Sequence, residues 1–131
     1  MPSMNTPRDA HRILIVDDAP AVRESLRWLL EDEAGLTVIG DTATGAEALQ
    51  LAVHLKPDLV LLDIELPDMD GFAVAKQLKS MLDPPLIVIL SMHSDTLSQK
   101  RGADAGCDAF VGKESGWSAL LPVLQKVLED Q

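Results

Sequence analysis

Three unbroken aliphatic runs, Ile13-Leu14-Ile15-Val16, Leu59-Val60-Leu61-Leu62 and Leu86-Ile87-Val88-Ile89-Leu90, do most to limit what this chain can fold into. None alternates apolar with polar residues, so each reads as a strand that meets water on neither face. Strands of that kind belong to parallel sheets covered by helices on both sides. Two weaker segments, Thr37-Val38-Ile39-Gly40 and Ala109-Phe110-Val111-Gly112, are shorter and contain Gly, as edge strands do.

Between the five strands the apolar spacing turns helical. Residues 20–33 place Val22, Leu26, Leu29 and Leu30 on one stripe, after a proline suited to a first turn, and Gly35 ends the segment. Thr44-Gly45-Ala46-Glu47 predicts a capping box at the start of a second helix, which Pro57 closes. A third helix is expected over residues 71–82, with Phe72, Ala75, Leu78 and Leu82 along one side before Asp83-Pro84-Pro85. Residues 94–105 have few apolar residues beyond Leu97 and Ala103, which marks the fourth helix as the candidate mobile element. A fifth starts near Ser118, where Pro122 fits a first turn, and carries Leu120, Leu124, Val127 and Leu128. Strict alternation of strand and helix implies right-handed crossovers and a three-layer α/β sandwich. The 131 residues suit one domain, with residues 1–11 as a loose tail and 12–131 as the folded unit.

Charge narrows the function classes. There are 21 Asp and Glu against 11 Lys and Arg, a formal net charge of -10, with no basic cluster to attract a phosphate backbone. Nucleic-acid binding by this domain is not expected, and no apolar stretch is long enough for a membrane span or signal peptide. Cys107 is the only cysteine, which excludes an intrachain disulfide and a Cys-based zinc site and fits a reducing cytoplasm.

The residues at the strand ends are chemically selective: Asp17-Asp18 after the first strand, Asp63 after the third, Ser91 after the fourth and Lys113 after the fifth. In a parallel sheet these ends share one edge. Three carboxylates in one crevice repel each other and raise their pKa values unless a divalent cation neutralises them. Mg²⁺ is the natural candidate, since it takes one or two carboxylates and leaves positions for phosphoryl oxygens. A carboxylate can also serve as a nucleophile toward phosphorus, with a cation on one side of the transferring group and Lys113 on the other. Each residue alone has a plainer reading: a strand-end Asp as a helix cap, Phe110 as core filling, Ser91 as a loop hydroxyl. Five suitable positions after four separate strands outweigh it. His93 reads as a solvent-facing loop residue, and Trp28 and Trp117 as either interface or half-buried residues.

From Arg12 to about Glu129 the chain resembles the receiver domains of bacterial two-component response regulators. The resemblance implies a doubly wound five-stranded parallel sheet of order 2-1-3-4-5, the flavodoxin-like order also found in a chemotaxis receiver. It implies that Asp17 and Asp18 bind Mg²⁺, that Asp63 accepts phosphate, and that the backbone carbonyl of Glu65 completes the metal shell. Ser91 and Lys113 match the family's hydroxyl and Lys, and Phe110 its rotating aromatic, so Ser91 and Phe110 form the switch pair. The implied role is transfer of a phosphoryl group from a histidine kinase or phosphotransfer protein onto Asp63. That event would alter the face of the fourth helix, fifth strand and fifth helix, where a target or a second copy binds. Such a chain is no enzyme beyond catalysing its own phosphorylation and dephosphorylation.

Two positions depart from the family pattern. Met92 follows Ser91 where a small residue is usual, and either narrows access to the site or packs on the fourth helix. Glu114 follows Lys113 where Pro is common, so no cis bond is expected there. Ser91-Met92-His93 is similar to receivers of LuxR-type regulators, which leaves open an excised receiver of a DNA-binding transcription factor. A receiver-like module working without phosphate is a further alternative. A haloacid-dehalogenase-like phosphatase would need an Asp where Glu65 stands.

Overall fold

The computed structural model describes residues 10–92 and 95–129. Five parallel strands, β1 (His11–Val16), β2 (Leu36–Thr42), β3 (Leu59–Asp63), β4 (Leu86–Ser91) and β5 (Ala109–Gly112), lie in the order β2-β1-β3-β4-β5. β1 opens at His11, the last residue read as tail; residues 1–9 and His93 lie outside the described residues. Five helices connect the strands: α1 (Pro20–Glu31), α2 (Gly45–Leu55), α3 (Gly71–Lys79), α4 (Thr96–Asp104) and α5 (Leu120–Glu129). The parallel α/β sandwich expected from the alternation is present, in the flavodoxin-like order that the resemblance implies.

Alternation of Cβ directions divides the aliphatic runs between two cores. Leu14, Val16, Val60, Leu62, Ile87 and Ile89 face α2 and α3, packing on Ala48, Ala52, Phe72, Val74, Ala75 and Leu78. Ile13, Ile15, Leu59, Leu61, Val88, Leu90 and Val111 face the other way, against Leu26 and Leu30 of α1 and Leu120, Leu124 and Leu128 of α5. Burial on both faces explains why no polar residue interrupts these runs.

Local signals misplaced two helix bounds, the end of α3 and the start of α5. Leu82 falls beyond the end of α3 at Lys79 and is 96% exposed, so it has no part in the stripe assigned to it. Leu78→Ala is expected to cost about 2–5 kcal/mol and Leu82→Ser less than about 0.5 kcal/mol, measured by urea unfolding. α4 forms, capped by the Asp95 carboxylate accepting from the Ser98 amide at 2.8 Å, but Gly102 is its one buried residue among those described. α5 begins at Leu120 rather than Ser118, after a short 3₁₀ turn over Lys113–Ser115.

At α2, half of the capping box forms. The Thr44 hydroxyl accepts from the Glu47 amide at 3.2 Å, whereas the Glu47 carboxylate accepts from the Thr42 hydroxyl instead of reaching the Thr44 amide. The first two amides of the helix, Gly45 and Ala46, donate to Asp68 at 2.8 and 2.9 Å. These bonds hold the Asp68 carboxyl below the usual carboxylate range. The loop after β3 is therefore tied to α2, and in Asp68→Ala the Gly45 and Ala46 amides are expected to exchange hydrogen faster.

Candidate functional site

The C-terminal ends of β1, β3, β4 and β5 bring together Asp17, Asp18, Asp63, Ser91 and Lys113. One carboxylate oxygen from each of Asp17, Asp18 and Asp63 lies within 4.8 Å of the others, a set able to hold a metal ion. Asp17 is fully buried, Asp63 is 3% exposed and Asp18 faces solvent. The cluster has one inner wall and one open side.

Lys113 crosses from β5 to close the inner side. Its Nζ donates to Asp17 Oδ2 at 2.7 Å and lies 3.5 Å from Asp63 Oδ2. Burial pushes its pKa down, but the hydrogen bond to Asp17 and the charge of Asp63 outweigh this, and the net shift is upward. The ammonium therefore stays charged and offsets one of the three carboxylates. Asp63 is shifted upward as well, first by burial, and only third by repulsion from Asp17; the Glu65 amide, donating to Asp63 Oδ1 at 3.1 Å, works against the shift. Desolvation thus leads over the mutual repulsion expected from the sequence.

The loop from Asp63 to Gly71 is held at both ends. Glu65 and Asp70 form an antiparallel bridge, and the Gly71 amide donates to the Ile64 carbonyl at 3.0 Å. Asp70 Oδ1 caps α3 by accepting from the Phe72 amide at 2.9 Å. Arg101 of α4 reaches Asp70 at 3.3 Å and stacks 4.3 Å above the Phe72 ring, spanning an open groove of about 620 Å³ beside the site.

Ser91 is fully buried at the end of β4, and Phe110 is half-buried on β5, in contact with the α2–α3 core. Opposite the ring stands Gly102 of α4, where a Cβ would meet Phe110 Cδ2 at 3.2 Å. The ring thus lies between the sheet and α4. Met92 leaves 53% of its surface exposed, and the Lys113–Glu114 peptide is trans.

Two residues of this region carried no sequence expectation. Arg23 donates from Nη1 to the Asp17 carbonyl at 2.7 Å and from Nε to Asp41 Oδ1 at 3.2 Å. A cation near the positive end of a helix is unfavourable without a local partner, and that was the available signal for Arg23. Asp41, at the end of β2, also binds Arg27 at 2.7 Å; a single Asp in a weak edge strand gives no such hint.

The response regulator receiver domain model matches residues 13–125. The chain belongs to this family of receiver domains. Among curated relatives, this receiver is 39% identical over 117 residues to a candidate transcriptional regulator of Pseudomonas aeruginosa, covering 89% of the chain and 56% of the relative. It is 32% identical to the transcriptional regulatory protein YdfI of Bacillus subtilis, covering 90% of the chain and 55% of the relative. The chain thus spans about half the length of the first curated relatives it matches. Among solved structures, a LuxR-family two-component response regulator from Aurantimonas superposes with a TM-score of 0.87 at 30% identity, covering 93% of this receiver and 87% of that chain. A CheY-like receiver domain protein of Methanospirillum hungatei gives 0.83 at 29% identity, covering 92% and 95%. Membership leaves the dehalogenase-like alternative without support. Among the described residues, no helix is long and apolar enough to cross a membrane.

Proposed function

We propose that this receiver takes a phosphoryl group onto Asp63 from a phosphohistidine of a histidine kinase or phosphotransfer protein, in the cytoplasm. An Asp63 carboxylate oxygen attacks phosphorus, the phosphorus–nitrogen bond breaks, and the departing imidazole keeps the electron pair and takes up a proton. The product is an acyl phosphate. Lys113, brought within 3.5 Å of Asp63 from two strands away, is the observation that carries this reading. Its charge faces the equatorial oxygens as negative charge builds on them.

The donor set, all oxygen and mostly carboxylate, fits a hard divalent cation such as Mg²⁺. Asp17, Asp18 and Asp63, with the Glu65 backbone carbonyl, would hold it, and it would supply charge neutralisation for the incoming phosphoryl group. Ser91 donates to a phosphoryl oxygen and Phe110 is drawn inward with it, which changes the face of α4, β5 and α5 offered to a target or a second copy. Apart from its own phosphorylation and dephosphorylation the domain turns over no substrate.

Incubation with Mg²⁺ and acetyl phosphate, or with a cognate kinase, is expected to give one labile phosphoryl adduct by intact mass, absent in Asp63→Asn. No adduct from either donor defeats the assignment. Burial raises the Asp63 pKa, so its charge opposes folding at neutral pH; without divalent cation Asp63→Asn should melt at or above the wild-type temperature. The lost adduct then reflects chemistry rather than unfolding.

The transcriptional regulators of which the chain spans about half, together with the LuxR-family regulator it superposes on, favour a second reading of context, in which this receiver regulates a DNA-binding module of LuxR type. A source gene whose reading frame continues into a helix-turn-helix segment would support it, and one that stops after Gln131 would not.

A further inference from the structure

We infer that Arg23 is a positioning residue for the acidic site, aiming the Asp18 carboxylate by holding the peptide plane that joins Asp17 to Asp18. Every polar group of Asp17 has a partner. Its amide donates to the Thr42 carbonyl at 3.0 Å, Oδ1 accepts from the Ala19 amide at 2.9 Å, and Oδ2 accepts from Lys113 at 2.7 Å. The remaining group, the main-chain carbonyl, accepts from Arg23 Nη1 at 2.7 Å.

That carbonyl belongs to the peptide unit from which Asp18 hangs. The unit is planar, so fixing its oxygen limits its rotation and places the nitrogen and Cα from which the Asp18 side chain starts. Asp18 is the exposed carboxylate of the three, without the enclosure that holds Asp17 and Asp63. Arg23 is itself held: Nε donates to Asp41 Oδ1, while Asp41 Oδ2 is held by Arg27, which also pairs with Glu31 at 3.0 Å. A relay thus runs from the end of β2 through the α1 guanidinium to the acidic loop. Arg suits it because its rigid fork serves two acceptors at once, which a Lys ammonium on a flexible stem does not do in the same geometry.

Charge and position predict opposite signs. If Arg23 acted as a nearby positive charge, its removal would tighten cation binding. If it acts by orientation, its removal weakens binding although a repelling charge is gone. Asp41 and Glu31 together offset the Arg23 and Arg27 guanidinia, so orientation is expected to win.

The inference rests on the proposed cation site and is tested on the full chain by calorimetric titration with Mg²⁺ alone. Arg23→Ala is expected to bind about tenfold more weakly, in the range for residues that support metal ligands, and Arg23→Lys to lose most of that factor despite its charge. Asp41→Asn should show a smaller loss and add nothing in the Arg23→Ala background, because it acts through Arg23. In the cation-free protein, hydrogen exchange at Asp18 and Ala19 should quicken in Arg23→Ala. Unchanged or tighter binding by a folded Arg23→Ala overturns the inference, while wild-type phosphorylation at Asp63 still stands. Failure of the wild type to bind Mg²⁺ overturns both.

Discussion

Lys113→Met is expected to reduce acyl phosphate formation by about 10²–10³-fold, the scale seen when one preorganised donor is removed from a developing oxyanion. The Lys113 side chain is 12% exposed and its ammonium lies 2.7 Å from Asp17 and 3.5 Å from Asp63, so no water-filled route replaces it cheaply. Its removal also leaves two buried carboxylates facing each other. Breaking a buried pair costs roughly 3–5 kcal/mol, and the lower end applies here because Asp63, already raised by burial, relieves the repulsion by taking a proton. Denaturant unfolding with chelator present measures the stability term, and phosphorylation rate with a small donor measures the catalytic one. Lys113→Arg separates them: charge and stability are largely kept, while the bulkier fork replaces a compact point charge and transfer stays impaired. A Lys113→Met protein phosphorylated at the wild-type rate would remove Lys113 from the chemistry.

The elements that set this pocket were legible because burial leaves a mark on sequence. Leu59-Val60-Leu61-Leu62 has no polar residue, since helices cover both faces of β3, and that pattern led directly to a parallel sheet whose strand ends share an edge. Along that edge Asp17, Asp18, Asp63, Ser91 and Lys113 are candidates by their position at or just after the strand ends. Contacts between distant segments left no such mark. Asp68 caps α2 from 22 and 23 residues away, and nothing local to Thr44 or Glu47 announces that the Gly45 and Ala46 amides find their partner there. Leu82 misled for the opposite reason: helical spacing continued on paper past Lys79, where the chain had already left the helix toward Pro84. Arg23 and Asp41 belong to the same class as Asp68, polar residues whose partners are chosen by the fold.

Gly71→Ala should destabilise the domain more than any surface change near the site, because the cost falls on backbone. A Cβ at this position would stand 2.2 Å from Ile64 Cα, 2.8 Å from the Asp63 carbonyl oxygen and 2.9 Å from the Ile64 carbonyl carbon. None of these atoms can move aside like the tip of a flexible side chain. To fit the methyl, the loop must open, and opening it loses the Gly71 amide bond to Ile64 and strains the Glu65–Asp70 bridge. Overpacking alone costs about 1–3 kcal/mol and a lost buried hydrogen bond about 1 kcal/mol more, so about 3 kcal/mol is expected. That is a large share of the roughly 5–15 kcal/mol available to a domain and corresponds to a melting temperature lower by roughly 10 °C. The same displacement moves Ile64 and with it Asp63, so acyl phosphate formation should fall even at temperatures where the variant is folded. An Ala variant with wild-type melting and wild-type phosphorylation would mean that the close approach of Gly71 to Ile64 does not set the acceptor's position.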